Sequence, residues 1–325
     1  MNDPKVIKIL GAGPSGLTTA INLAQNDYKV IIYEKNPDVG MRFHGDFQGL
    51  ENWSSKEDVL TSVKNMSLAV NFYHKPFYSG YFYSLSSSAH VESTEPMFYL
   101  IQRGKGAGTL DYSLKAQAIK LGVSIIFNTS LDYADVDIIA TGPKRINMMA
   151  FGITFVTNLK DIAMVILDND ISPKGYAYLL VSDKKATLAT VLFEQFKLGG
   201  KYLEKAIEKF KQISELDIIN AKKFAGYGGF FLSKSAIREK KIYAGEAAGF
   251  QDFLFGFGIR YAITSGYLAA KSIIENVDYN ALWRSKFYHQ MKTSLSNRAF
   301  YELFGNTIYD YLMERTRKSK DPRGL

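Results

Sequence analysis

The 325-residue chain has no cysteine and four histidines. Without cysteine there is no disulfide, no thiolate nucleophile and no cysteine-ligated metal. The histidines (His44, His74, His90 and His289) fall in no HxxxH or HxxEH spacing, so no metal site is expected. No run of 18 apolar residues occurs, so no membrane-spanning helix is expected. A strand pattern begins at Val6, so no secretory leader is read and a cytoplasmic location is expected. No internal repeat, low-complexity linker or nucleic-acid motif is found, so no nucleic-acid partner is expected.

Apolar residues make up 46% of the chain and charged residues 22%, as in a globular protein of one large or two interleaved domains. The net charge is +8, concentrated in Lys184-Lys185, Lys222-Lys223, Arg238 to Lys241 and the tail Arg315 to Arg323. Such clusters read either as solvated surface or as a contact with anionic lipid at a membrane surface.

The most informative stretch is the first. Val6-Ile7-Lys8-Ile9-Leu10 is an apolar strand, followed by Gly11-Ala12-Gly13-Pro14-Ser15-Gly16 and an apolar helical run to Leu23. A second strand, Val30-Ile31-Ile32-Tyr33, runs into Glu34 and Lys35. This is a β-α-β unit with a dinucleotide fingerprint in its first turn. Gly11 permits the tight turn, Gly13 lets the backbone approach a pyrophosphate, and Gly16 lets the helix pack on the strand. The helix N-terminus, starting at Pro14 and Ser15, presents N–H groups to the phosphates. The Glu34 carboxylate is placed to accept from a ribose hydroxyl.

Farther along, 36–60 reads as a polar loop, with a helix opening in Ser54 to Val63. Residues 66–102 alternate as antiparallel strands, as in Phe77 to Tyr83. Leu110 to Leu121 is a helix, Val123 to Phe127 a strand, and Val136 to Gly142 a buried strand ending in a turn. Four apolar runs between 151 and 193 read as a β-meander, followed by an amphipathic helix, Tyr202 to Ile213. Strands are expected near Lys222 to Tyr227 and at Lys241 to Ala244, then a long helix from Gly258 to Ile274 and more helix from Ala281 to Arg317.

Five segments together resemble the flavoprotein family of geranylgeranyl reductases and, more distantly, p-hydroxybenzoate-hydroxylase-type monooxygenases. They are the fingerprint through Glu34; Tyr99 to Arg103 with Thr109-Leu110-Asp111; Asp137 to Gly142; Gly175 to Leu180; and Gly245-Glu246-Ala247-Ala248-Gly249 through Gly256-Phe257-Gly258-Ile259. The resemblance spans roughly residues 1 to 275 and implies non-covalently bound FAD. The fold it implies is α/β: a glutathione-reductase-like (Rossmann) FAD-binding domain in three pieces (1–65, 98–148 and 222–278), with an inserted antiparallel-β substrate domain (66–97 and 149–221). A helical region with a basic tail (279–325) follows.

The same resemblance assigns FAD contacts to Arg42, Arg103, Thr141, Gly142, Gly245, Gly256, Gly258 and Ile259. Glu246 is placed to hold a ribityl hydroxyl. The helix that begins at Gly258 points its positive end at the edge where reduced flavin carries negative charge. Tyr176, Tyr178, Phe253 and Phe255 are the expected substrate pocket, and His44 and Asp46 the expected proton donors beside the flavin. The chain departs from the family pattern at four places. Glu246 stands for Asp and Phe253 for Pro. Arg42 to Leu50 replaces a cysteine-bearing motif, and Tyr178-Leu179-Leu180 replaces WxFP.

The implied reaction is hydride transfer from flavin N5 to a C=C bond of an apolar, isoprenoid-like substrate. The alternatives are a flavin monooxygenase and a flavin-binding protein with a structural or sensing role. A halogenase is disfavoured by the absence of WxWxIP. No second GxGxxG follows a strand. NAD(P)H or another reductant is therefore expected to act transiently, or a partner protein to supply electrons.

Overall fold

The computed structural model describes residues 6–318. The N-terminal unit forms as its glycines and periodicity dictate: β1 (Val6–Leu10), α1 (Pro14–Ala24) and β2 (Lys29–Tyr33), with β1 and β2 parallel. Gly11 has φ +104°, and a Cβ there would lie 2.4 Å from the Ala140 carbonyl oxygen. A Cβ on Gly16 would lie 2.0 Å from the Gly11 oxygen, so the close packing of α1 on β1 requires glycine.

The chain then runs through β3 (Phe47–Glu51), α2 (Val59–Asn65), β4 (His74–Phe77), β5 (Ser79–Tyr83), β6 (Ser88–Glu92), β7 (Phe98–Gln102), α3 (Leu110–Lys120), β8 (Ser124–Ile126) and β9 (Ile138–Ile139). The four apolar runs follow as β10 (Met148–Val156), β11 (Ile162–Ile166), β12 (Tyr176–Ser182) and β13 (Lys185–Leu192), then α4 (Gly199–Ile213) and β14 (Ile219–Gly228). β11, β12 and β13 form the expected meander, but β10 pairs with β13 and β14 and not with its chain neighbour β11. β15 (Ile237–Arg238), β16 (Lys241–Tyr243), α5 (Ile259–Ile274), α6 (Tyr279–Trp283), α7 (His289–Phe304) and α8 (Asn306–Lys318) complete it. Positions 319–325, the end of the basic tail singled out in the sequence, lie outside the described residues.

Among the described residues, three sheets result. The six-stranded sheet has the order β15-β16-β9-β1-β2-β8 and is parallel except for the β15–β16 hairpin. The seven-stranded sheet has the order β14-β10-β13-β12-β11-β5-β6. It is antiparallel apart from β5–β11, which are parallel because β5 arrives from a separate chain segment. The third sheet is β3-β7-β4. β3 lies in a stretch read from the sequence as loop. Its two apolar residues, Phe47 and Leu50, are three apart and Gly49 sits at its centre, so no alternation marks the strand, which forms by pairing with β7. The helix placed at Ser54 to Val63 begins only at Val59, where the Asp58 carboxylate caps it by accepting the Leu60 and Thr61 N–H groups. β14, grouped from the sequence with the dinucleotide domain, is the edge strand of the seven-stranded sheet.

The cores follow the same partition. Ile9, Leu17, Ile21, Ile32 and Ile263 join β1, α1, β2 and α5. Leu179 and Leu188 meet Leu203, Ala206 and Phe210, the apolar stripe of α4. Phe250, Phe253, Trp283 and Met291 bind the loop before α5 to the C-terminal helices. Among the described residues, no helix is long and apolar enough to cross a membrane.

Candidate functional site

A cavity of about 1130 Å³ joins the three sheets. That exceeds the space of an ordinary small-ligand site, about 300–1,000 Å³. Its lining changes character along its extent. At one end stand Gly11 to Ser15, Glu34, Lys35, Arg42, Arg103, Thr141, Gly142 and Glu246. At the other stand Val91, Met97, Leu167, Tyr176, Tyr178, Leu180 and Phe255.

The polar end is built by the fingerprint. Gly13 caps α1, and a Cβ there would meet nothing within 4 Å, so the cradle is open where a phosphate would lie. The first N–H groups of α1 have no partner within the helix. Glu34 Oε2 accepts the Ala12 N–H at 2.8 Å, and Oε1 accepts from the Asn36 backbone and side chain at 2.9 and 2.7 Å. The carboxylate is thereby held at the turn, beside the phosphate cradle.

Two arginines organise the neighbouring wall. Arg42 Nη1 donates to Glu246 Oε2 at 2.8 Å, and Nη2 donates to the Tyr227 carbonyl. This pair ties the 40–46 loop to the segment before α5. Arg103 is 5% exposed and grips Asp111 through two bonds of 2.8 and 2.9 Å, with its guanidinium 3.9 Å above the Phe43 ring. Burial works against its charge, but Asp111 more than offsets that and raises its pKa. Arg103 lines the cavity and fixes the loop that carries Arg42.

The loop before α5 is equally constrained. Asp252 Oδ2 accepts the Phe255 and Gly256 N–H groups, and Ser294 Oγ of α7 donates to Asp252 Oδ1 while accepting the Phe253 N–H. Gly256, Gly258 and Ile259 line the cavity, and α5 starts at Ile259 as the sequence predicts. At the apolar end, the Tyr176 hydroxyl donates to the Phe255 carbonyl at 2.9 Å, and burial drives the pKa of both Tyr176 and Tyr178 upward. Both phenols therefore stay neutral.

Four expected residues sit elsewhere than their assigned roles require. Phe253 is fully buried against Phe230 and off the cavity wall, because its backbone is pinned to Ser294 and its ring turns into the α6–α7 core. Gly245 is also off the wall: its φ is +59°, and a Cβ there would meet Ser15 Oγ at 2.7 Å, so it serves packing beneath α1. Gly16 packs α1 on β1, the role its place in the fingerprint gives it. His44 is exposed and stacks on Phe224 with ring centres 6.0 Å apart, outside the lining. Asp46 does line the cavity, yet its two oxygens are taken by the His44 N–H at 2.8 Å and Gln48 Nε2 at 3.0 Å. One residue the sequence reading missed is Glu51 at the end of β3, a buried carboxyl on the cavity wall. A lone Glu in a polar stretch carries no signal of burial.

The model of the NAD(P)-binding Rossmann-like domain family matches residues 9–48, from the end of β1 to the start of β3. A sequence search of curated proteins finds no match. Solved structures are similar over nearly the whole chain. A geranylgeranyl bacteriochlorophyll reductase-like protein from Thermoplasma acidophilum aligns with a TM-score of 0.74 at 16% identity, covering 97% of this chain and 93% of the other. The flavin-dependent brominase Bmp2 aligns with a TM-score of 0.62 at 14% identity, covering 98% and 91%. 2-Methyl-3-hydroxypyridine-5-carboxylic acid oxygenase aligns with a TM-score of 0.61 at 16% identity, covering 94% and 96%. The α/β architecture, a Rossmann-type sheet joined to a large second sheet, is therefore the fold this chain shares with those proteins.

Proposed function

We propose that the chain is an FAD-dependent oxidoreductase that reduces a C=C bond of a long apolar substrate of the isoprenoid class. The observation that carries this reading is the two-ended cavity, with a phosphate cradle at one end and an aromatic and aliphatic chamber at the other. The α1 N-terminus would hold the pyrophosphate and Glu34 a ribose hydroxyl. Arg42 and Glu246 would hold the ribityl chain, and the α5 N-terminus would face the ring. FAD supplies two-electron hydride chemistry when bound. The protein's part is to exclude water, with Tyr176, Tyr178 and Phe255 presenting an apolar surface to the substrate. With no second dinucleotide fingerprint in the chain, the electrons would come from NAD(P)H docking transiently or from a partner protein.

The rival readings are a monooxygenase, favoured by the fold shared with an oxygenase, and a non-catalytic flavin protein. Anaerobic reduction of the bound flavin, followed by oxygen or by polyprenyl alcohols, separates them. Reoxidation by the alkene supports the reductase. Reoxidation by oxygen with a hydroxylated product supports the monooxygenase, and no turnover with any acceptor supports the third.

A peripheral membrane contact is part of the proposal. Phe300, Leu303 and Phe304 of α7 are 60%, 75% and 48% exposed, and Phe300 also lines the cavity. An apolar substrate would pass from lipid to chamber along this face. Anionic liposomes should sediment the protein, and high salt should weaken the electrostatic part of that binding. Failure to sediment at low salt would remove the membrane from the proposal.

A further inference from the structure

Among the described residues, seven carboxylates line the cavity, and six of them are spoken for. Glu34 is held by Ala12 and Asn36, Asp38 by Val39 and Lys115, and Asp46 by His44 and Gln48. Asp111 is held by Arg103, Glu246 by Arg42, and Asp252 by Ser294 and two backbone N–H groups. Glu51 is different. It is 3% exposed, and its Oε2 has no hydrogen-bond partner.

A buried polar atom left without a partner is unfavourable and calls for an explanation. Across the β3–β7 ladder Glu51 faces Phe98, which offers only a ring. The charged and titratable groups around it are Arg260 and Tyr261 of α5 and Asp252 in the loop before α5. Arg260 favours the carboxylate and Asp252 opposes it, while the Arg260 guanidinium is directed to Ser54 Oγ. Burial dominates and pushes the Glu51 pKa up to about 7. A carboxyl poised there holds its proton at neutral pH and releases it without a large penalty, as an acid catalyst must.

We infer that Glu51 is the proton-delivering residue of this cavity, its free carboxyl oxygen giving a proton to the substrate carbon adjacent to the one that takes the hydride. The inference rests on the reductase reading above. The alkene gains a hydride from the reduced flavin at one carbon and the Glu51 proton at the other. The alkene π bond, the N–H bond of the reduced flavin that carries the hydride and the Glu51 O–H bond break, two C–H bonds form, and the flavin is left oxidised by two electrons. The carboxylate regains a proton from solvent, and a two-electron donor of the nicotinamide class restores the flavin. His44 and Asp46 are unsuited to this role, the first lying off the wall and the second having both oxygens engaged.

The test compares the flavin-loaded wild type with Glu51→Gln and Glu51→Asp. Infrared difference spectra across pH should show a carbonyl band of a weakly hydrogen-bonded carboxylic acid, lost as pH rises through about 7 and absent from Glu51→Gln. In single turnovers with a polyprenyl alcohol, Glu51→Gln should be slower by about 10²–10⁴-fold and lose the pH dependence, with Glu51→Asp restoring part of both. Flavin affinity and visible spectrum should not change. A wild type without the titrating band overturns the inference. So do equal rates and equal pH profiles in wild type and Glu51→Gln, in which case the reductase reading stands and only the Glu51 role falls. If the band titrates but no alkene reoxidises the flavin, the reductase reading fails and the proton-delivery step falls with it.

Discussion

Glu51 also has a thermodynamic signature that needs no substrate. Its carboxyl has a pKa of 4.5 in the unfolded reference and about 7 in the fold. Below pH 4.5 both states are protonated and the group is neutral in the balance. Between the two values the folded state keeps a proton that the unfolded state has released, so stability falls as pH rises. Above pH 7 the full cost is present. At about 1.4 kcal/mol per pKa unit, that cost is about 3 kcal/mol. Glu51→Gln carries an uncharged amide at the same site and escapes it. With an unfolding entropy of about 2.1 cal/mol/K per residue over 325 residues, the difference is about 4 °C in Tm. Thermal melts of both proteins by calorimetry, run from pH 4 to pH 8, should show the gap between variant and wild type widen by about this amount. A gap that stays constant with pH would refute the claim that the carboxyl is buried and unpaired.

Three further outcomes follow from the cavity wall. Gly13→Asp should leave Tm nearly unchanged, because a Cβ there meets nothing, yet abolish FAD binding by placing a carboxylate in the phosphate cradle; a flavin titration measures it. Arg103→Ala strands Asp111, 1% exposed, and should cost about 3–5 kcal/mol in urea unfolding. Glu246→Ala removes the Arg42 partner and should weaken FAD binding by about 1–3 kcal/mol, read by fluorescence titration; unchanged affinity would leave Glu246 a purely structural role.

The β-α-β unit was legible because its signals are local. Glycine requirements, strand length and helical periodicity all fall within about 30 residues. The start of α5 and the β11-β12-β13 meander were legible for the same reason, whereas β10 pairs with β13 across two intervening strands, which no local pattern encodes. β3 was not, because its partner, β7, is distant in the sequence and its own pattern, Phe-Gln-Gly-Leu-Glu, alternates weakly. The fate of the phenylalanines before α5 turned on a tether that no local pattern encodes. Ser294, some forty residues on, pins the Phe253 N–H, so Phe253 faces the core while Phe255 faces the cavity. His44 looked like chemistry by residue type and proved to be surface, whereas Glu51 looked like surface and proved to be wall. Burial of one carboxyl is a tertiary property and leaves no trace in spacing.

The order in which the sheets are threaded bears on how the chain is made. β1 is flanked by β9, and β9 by β16, so β1 lies two strands from one that emerges more than 200 residues after it. α1 waits as long for its partner. Thr19 Oγ1 donates to the Gly266 carbonyl, 247 residues away, and Gly266 has no Cβ because the Ser15 backbone fills that space. At a ribosomal rate of about 5–20 residues per second, the side of α1 that packs on α5 would stand uncovered for roughly 10–50 s. Such separated contacts also slow folding once the chain is free, since each must close a long loop before it is rewarded.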